Sequence, residues 1–313
     1  MPGSKHNYHY LFGPVASRRL GWSLGIDAVP YKTCTLDCIY CELGATTEKT
    51  VERRPLVPAE QILQEVESFL ESGVEADYLT FSGSGEPTLN RDLGMMIREV
   101  KKLTSIPVSI LTNATLFSDP GLRKELEPAD LVLPSLDAVT PGIFRRINRP
   151  HPSLGIEEII GGLRRFREEF AGEIWLEVLL VEGINDSEEE LEKLGQTALS
   201  LRPERIQLNT VARPGAEADA RPLKLENLER IRNFFGPGAE VVADLREMYP
   251  GKDSGPVEEK IIAILSRRPI STGEIAATTG LKNVGAKKIL TSLLDRGRIR
   301  LLRHEKEEFW SCH

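Results

Sequence analysis

The sequence predicts an α/β fold: a partial (β/α)6 TIM-like barrel followed by a small winged helix-turn-helix domain. Three observations predict it. Between residues 23 and 249, short strand patterns alternate strictly with amphipathic helix patterns, the order that gives a parallel sheet. The first strand pattern runs into a loop holding Cys34, Cys38 and Cys41, and barrels place their chemistry at the C-terminal ends of strands. Beyond a turn-rich linker at 250–256 the pattern changes to three helices and two short strands at 257–313.

Residues 1–22 carry aromatic and basic side chains, among them Tyr8, Tyr10, Phe12, Arg18, Arg19 and Trp22, without a period. They read as a packed N-terminal extension, with a strand or lid over the site as the alternative. Strands are expected at 23–29, 77–81, 108–112, 131–136, 174–181 and 205–209, with a last short one at 240–243. Helices are expected at 58–70, 90–103, 119–126, 156–170, 187–201 and 223–235. Ile62, Leu63, Val66, Phe69 and Leu70 share a face, as do Leu93, Met96, Ile97 and Val100. Asp119 followed by Pro120 is a helix start. These are six βα units, two short of a closed eightfold barrel.

In the C-terminal part, 257–266 is a helix. Ser271 and Glu274 form an S-x-x-E capping box opening a second helix. Asn283 is the expected cap of a third, which carries Val284, Ile289, Leu290, Leu293 and Leu294 and stops at Gly297. Two short strands around 299–301 and 308–310 complete the winged-helix order.

The chain has 313 residues, 40% apolar and 28% charged, ordinary for a globular protein. No apolar run reaches the roughly 18 residues that a membrane span needs. The first seven residues are polar and lack a signal core. With cysteines spaced for metal, this points to a reducing cytoplasm and no membrane partner. The formal charge of −7 argues against broad nucleic-acid binding. Residues 253–313 hold 11 Lys and Arg against 8 Asp and Glu, a net +3, leaving −10 elsewhere. Lys282, Lys287, Lys288, Arg296, Arg298, Arg300 and Arg303 give the third helix and wing a basic surface that can meet phosphates. Docking of a substrate or partner is favoured there over sequence-specific reading of DNA.

The cysteine spacing is C-x3-C-x2-C. Three thiolates in one loop cannot all pair as disulfides, and soft sulfur ligands select zinc or an iron–sulfur cluster. A full protein shell for a 4Fe–4S cube takes four thiolates. The remaining cysteine, Cys312, ends the chain with His313 and reads as incidental, as do His6 and His9. A cube here leaves one iron for a ligand that is not cysteine.

At these residues the chain resembles the radical S-adenosylmethionine (radical SAM) enzymes, whose loop is C-x3-C-x-aromatic-C, with Tyr40 in the aromatic place. The resemblance implies a 4Fe–4S cluster on Cys34, Cys38 and Cys41, with SAM on the open iron. It also implies an external electron donor, cleavage of SAM to a 5′-deoxyadenosyl radical, and hydrogen abstraction from a substrate. Ser82-Gly83-Ser84-Gly85-Glu86-Pro87 is similar to the family's Gly-Gly-Glu motif for the methionine amino group, with Ser84 at the first glycine. Thr112-Asn113-Ala114-Thr115 is similar to its Thr-Asn-Gly. Ser135 and Asp137 stand where the family contacts the ribose hydroxyls and the methionine carboxylate. Taken alone, those two read as helix caps for 140–147. The turn at 181–186, with Gly183, looks like the adenine-contact turn.

Asn148-Arg149-Pro150-His151 and Gln207-Leu208-Asn209-Thr210 with Arg213-Pro214 resemble a branch of iron–sulfur oxidoreductases related to 4-demethylwyosine synthase. That enzyme's additional cysteines for a second cluster have no counterpart here. Arg149, His151, Asn209 and Arg213 fall in loops at the expected mouth and read equally as substrate candidates, where the fork of Arg213 suits an anion, and as loop anchors. Glu177 lies in an apolar strand and is expected to touch SAM or substrate, or to pair with an arginine. The substrate class stays open between RNA, a peptide or protein docked by the winged helix, and a small molecule. The rival from a different class is a metal- or redox-sensing DNA-binding regulator.

Overall fold

The computed structural model describes residues 8–17, 19–242, 257–266, 268–304 and 307–312. The linker at 250–256, His6 and His313 lie outside the described residues. In chain order the elements are β1 (Leu11–Ser17), β2 (Gly21–Ile26), β3 (Thr33–Cys34), β4 (Glu48–Lys49), α1 (Ala59–Glu71), β5 (Tyr78–Phe81), α2 (Leu93–Leu103), β6 (Val108–Thr112), α3 (Pro120–Leu126), β7 (Leu131–Pro134), α4 (Pro141–Ile147), α5 (Ile156–Glu169), β8 (Glu173–Leu180), α6 (Glu188–Ser200), β9 (Arg205–Thr210), α7 (Leu225–Ile231), β10 (Ala239–Val241), α8 (Val257–Leu265), β11 (Ile270–Ser271), α9 (Thr272–Thr279), α10 (Asn283–Asp295), β12 (Arg300–His304) and β13 (Glu307–Ser311).

The main sheet runs β1-β2-β5-β6-β7-β8-β9-β10. All its neighbours pair in parallel except β1, which is antiparallel on β2. The edges β1 and β10 do not meet, so the barrel is partial, as the alternation predicts. The first barrel strand starts at Gly21, earlier than its pattern suggests, and the expected packed extension contains a strand. Two small strands inside the cysteine region, β3 and β4, had no legible period because each is two residues long.

Helices cover the outside of the sheet through one apolar stripe each. On α2, Leu93, Met96, Ile97 and Val100 are all fully buried, the i, i+3, i+4 spacing of a core-facing stripe. Asp119 caps α3 by accepting from Gly121 N at 2.7 Å. At the start of α6, Ser187 accepts from Glu190 N. The buried Glu190 carboxylate turns back and accepts from Val139 N at 2.7 Å and Thr140 N at 3.1 Å. It therefore fixes the loop that follows β7. Inside the barrel, hydroxyls bridge three neighbouring strands: Ser23 to Thr80 at 2.7 Å and Thr80 to Ser109 at 2.8 Å. Each satisfies the other's buried polar atom.

The C-terminal part has its own core, built on Ile261, Leu265, Ile275, Leu290, Leu293 and Trp310. Three helices precede the β12–β13 hairpin, with β11 added to β13. The capping box is present in both directions: Glu274 N donates to Ser271 Oγ and Ser271 N donates to the Glu274 carboxylate. Two details depart from the sequence reading. Lys282, not Asn283, is the N-cap of α10, and no side chain caps it. Val284 is 82% exposed rather than part of the core, because it lies on the face of α10 opposite the buried Ala286, Leu290 and Leu293.

This second core is joined to the barrel through β1. Val15 of β1 belongs to it, and β1 packs against α8 and α9. Arg213, after β9, reaches Glu274 on α9. The hairpin edge of the sheet is thereby covered, and the C-terminal part comes to lie beside the barrel mouth.

Candidate active site

The cysteine loop leaves β3 and is held by backbone bonds on both sides. Asp37 N and Ile39 N donate to the carbonyls of Asn148 and Ile147 at the end of α4, each at 3.0 Å. Glu217 N donates to Ile39 O at 2.9 Å, and Glu86 N to Thr33 O at 3.0 Å. Gly85 lies so close beneath the loop that a Cβ there would come within 2.0 Å of Thr33 O. The small residue expected for ligand approach is thus also required for chain packing.

All four cysteines are free thiols. Each loop sulfur faces an N–H donor: Cys34 receives Asn113 Nδ2 at 3.5 Å, Cys38 receives Asn148 Nδ2 at 3.4 Å, and Cys41 receives Lys32 Nζ at 3.1 Å. Burial, with the Glu86 carboxylate adding to it, pushes the Cys34 thiol up to about 12. Burial and Asp137 raise Cys38 well above the usual thiol value. Thiolates at these positions call for a strong counter-charge, which a bound metal centre provides.

Two cavities open beside the loop. The smaller, about 200 Å3, is lined by Cys34, Cys38, Gly85, Glu86, Asn113 and Asp137 among others. The larger, about 320 Å3, is lined by Cys41, Arg19, Glu177, Asn209 and Arg213 among others. Tyr40, Leu111 and Ser135 line both and form their shared wall. The strand ends after β5, β6 and β7 therefore meet the cysteine loop, as expected for a site at the C-terminal end of a parallel barrel.

Glu86 is buried and well supplied with donors. Its Oε1 accepts from Thr88 N, Thr88 Oγ1 and Thr112 Oγ1 at 3.0, 2.6 and 2.7 Å, and its Oε2 from Asn113 N at 2.7 Å. Burial nevertheless raises its pKa. Oε2, with one protein donor, keeps capacity for another. Asp137 accepts Leu179 N at 2.9 Å, Asn148 Nδ2 at 2.7 Å and the Tyr40 hydroxyl. Burial still pushes it up to about 6, and burial with the Asp137 charge raises Tyr40 well above the phenol value. Neither Ser135 nor Asp137 caps α4. Its N-cap is Thr140, without a side-chain bond, so the alternative reading of both as caps is not met.

Other expected residues are placed differently. Ser84 lines neither cavity; it donates to the Asp27 carboxylate through its backbone N at 3.0 Å and through its hydroxyl. Gly83 lines the larger cavity at φ +123°, with Asp27 filling the space a Cβ would need. Gly183 lines neither cavity and serves a turn at φ +70°. That turn is fastened by the buried Asn185, whose Nδ2 donates to Asp137 O and Leu179 O, both at 2.8 Å. Arg149 pairs with Glu217 at 2.6 Å, and His151 Nδ1 meets Ser153 Oγ at 2.8 Å. Both lie outside the cavities, while their neighbour Asn148 lies inside. Glu177 takes its arginine from the N-terminal segment, Arg19, and accepts from Asn209 Nδ2 at 3.1 Å. Both guanidinium ends of Arg213 are engaged, by Glu42 at 2.8 and 3.0 Å and by Glu274. Cys312 packs against the C-terminal core.

Lys32 was missed, and Asn148 and Asn185 stood only inside longer stretches, with no role of their own. An Asn at the C-cap of α4 or in the turn after β8 carries no signal of its own, and Lys32 precedes the motif by two residues.

The donor set fits an iron–sulfur cube open at one iron. Three soft thiols sit on one loop, each with an N–H donor of the kind that tunes cluster sulfurs. Among the described residues no three His, Cys, Asp or Glu side chains converge as one metal ion requires; a cube takes each thiolate on a separate iron.

A match to the Radical SAM superfamily covers residues 28–195. A UPF0026 protein of Methanocaldococcus jannaschii is 34% identical over 308 residues, spanning 96% of this chain and 94% of that protein. A Brachyspira hyodysenteriae protein named GTPase Obg is 37% identical over 300 residues, 95% of this chain but 44% of that longer protein. Among solved structures, TYW1 with a lysine–pyruvate adduct bound shares the fold with a TM-score of 0.52 at 19% identity, covering 72% of this chain and 75% of that one. No helix among the described residues is long and apolar enough to cross a membrane. With the superfamily match over more than half its length and the cysteine loop at the mouth of a partial barrel, this chain belongs to the radical SAM superfamily, enzymes that use a 4Fe–4S cluster and S-adenosylmethionine.

Proposed function

We propose that Cys34, Cys38 and Cys41 hold the 4Fe–4S cluster, that SAM enters by the smaller cavity, and that the larger cavity receives a small polar substrate. The observation that carries this is the junction itself: two cavities share the wall Tyr40–Leu111–Ser135, and the three thiols border that junction. When bound and reduced by an external one-electron donor, the cluster and SAM supply a 5′-deoxyadenosyl radical that removes a hydrogen atom from the substrate.

The chain's own residues bind and orient. Glu86 Oε2 receives the methionine ammonium, with Thr88, Thr112 and Asn113 fixing the carboxylate. Ser135, on the shared wall, is the ribose contact. Asp137, already taking three donors, orients Tyr40 and Asn148 rather than binding the ribose directly. Lys32, Asn113 and Asn148 keep N–H groups on the three sulfurs.

A small molecule is favoured over RNA or peptide by the walls of the larger cavity. Its volume, about 320 Å3, lies at the lower end of the range for small-ligand sites, roughly 300–1,000 Å3. Arg19 and Phe12 from the N-terminal segment and Arg268 from the C-terminal part border it, and Arg213 ties that part down through Glu274. The regulator reading gains no support, and its basic surface is partly neutralised: Lys287 pairs with Glu308 at 2.5 Å and Arg296 with Glu258 at 2.8 Å.

Anaerobic protein reconstituted with iron and sulfide, given SAM and dithionite, is expected to release 5′-deoxyadenosine. The small-molecule fraction of a cell extract is expected to raise that release above the uncoupled rate. Stimulation by the RNA or protein fraction alone would overturn the small-molecule reading, and no 5′-deoxyadenosine under any condition would overturn the enzyme.

A further inference from the structure

We propose that Lys32 is a positioning residue that tunes the redox centre: its ammonium, held against Cys41 Sγ, raises the reduction potential of the group the three thiols bind. This rests on the cluster assignment above.

Lys32 is 3% exposed. A lysine is almost never buried to that extent without a partner. Its Nζ lies 3.1 Å from Cys41 Sγ. The backbone shows that the placement is imposed. Lys32 sits at φ +57°, the left-handed region, which is strained for a residue with a side chain. Three backbone bonds hold it there. Lys32 N donates to Ser84 O at 2.6 Å, and Lys32 O accepts from Thr47 N at 3.2 Å and Glu48 N at 3.1 Å. The turn after β5 and the start of β4 thus clamp the residue whose side chain covers Cys41.

The three sulfurs are not treated alike. Cys34 and Cys38 receive neutral amide donors, from Asn113 and Asn148. Cys41 receives a cation, and it is the cysteine that borders the larger cavity. An electron added to an iron–sulfur centre makes it more negative by one charge. A fixed positive charge in contact with a ligand sulfur favours that reduced state, and low local dielectric strengthens the effect. Net charge and hydrogen bonds to sulfur are the terms by which a protein sets such potentials. Lys32 supplies both at one atom.

The test is an EPR-monitored potentiometric titration of anaerobically reconstituted full-length protein, with iron and sulfide content measured beside it. Wild type is compared with Lys32→Arg, Lys32→Met and Lys32→Gln. Arginine keeps the charge and is expected to keep the potential. At the wild-type midpoint, Met and Gln are expected to lower the reduced-to-oxidised ratio about tenfold, some 59 mV for a one-electron couple. Glutamine retains an N–H donor, so it separates charge from hydrogen bonding and serves if Met disturbs the loop. A wild-type potential in Gln, or in both neutral variants, would overturn the proposal while leaving the cluster assignment intact. A wild-type chain that binds no iron–sulfur centre would overturn both.

Discussion

Alanine in place of Cys34, Cys38 or Cys41, one at a time, is expected to abolish the bound cluster and with it all 5′-deoxyadenosine formation, whereas Cys312→Ala leaves both at wild-type level. The asymmetry follows from position. Cys34 and Cys38 border the smaller cavity and Cys41 the larger, on a loop pinned from α4, from Glu217 and from Glu86. A cube with three protein thiolates has no spare ligand, so losing one leaves two irons without protein sulfur. Cys312 is packed against the C-terminal core, with its backbone N donating to Leu265 O at 3.2 Å. Iron and acid-labile sulfide per chain, with the visible spectrum, read the outcome. Retention of a full cube by any of the three loop variants would remove that cysteine from the ligand set.

Arg213→Ala is expected to be the most destabilising single change outside the hydrophobic core, at about 3–5 kcal/mol, the range for breaking a buried ion pair by removing one partner. Arg213 is 4% exposed and its two terminal nitrogens hold carboxylates from different parts of the chain. Glu42 adjoins the cysteine loop, and Glu274 is the capping-box residue of α9. Removing the guanidinium strands both charges, loosens the loop and frees the C-terminal part from the mouth. Arg213→Lys does not rescue, because one ammonium cannot replace a planar fork shared by two carboxylates. The pH dependence has a definite sign. Burial acts to raise the Glu274 carboxyl, but the Arg213 and Arg268 charges outweigh it and hold it well below its ordinary 4.5. A depressed folded value contributes stability that is full above pH 4.5 and is lost as pH falls below it. Denaturant titrations should show wild type losing stability below pH 4.5 more steeply than Arg213→Ala. Parallel slopes would mean that the pair does not couple the two parts.

The sequence made visible what depends on neighbours in the chain. The alternation of strands and helices and the Ser271–Glu274 capping box are local signals that appear as read, and the C-x3-C-x2-C loop lies beside the strand ends where the pattern puts it. Gly85 and Glu86 were legible because a short motif follows a strand. Signals failed where the partner is distant or where direction matters. Arg213 offers a free fork to a sequence reader, yet its carboxylates come from 171 and 61 residues away. Asn148, Arg149 and His151 stand together in sequence, but the backbone turns at Arg149 with φ +45°, and only Asn148 faces Cys38 and Asp137. Ser84 occupies a glycine's place in the motif and turns to Asp27 instead. Ala114 stands at φ +57°, the reason the related motif carries glycine at that place. The strand in the N-terminal extension was hidden because its bulged register between Phe12 and Val15 breaks the period of two.

Assignment of a SAM-binding cluster to Cys34, Cys38 and Cys41 is tested by EPR spectroscopy of the anaerobically reconstituted, reduced protein before and after adding SAM, with metal content measured on the same sample. A brown protein carrying a 4Fe–4S signal whose g-values change on adding SAM is the expected result. A colourless protein holding one zinc at Cys34, Cys38 and Cys41, or a cluster signal that SAM leaves unchanged, would contradict it.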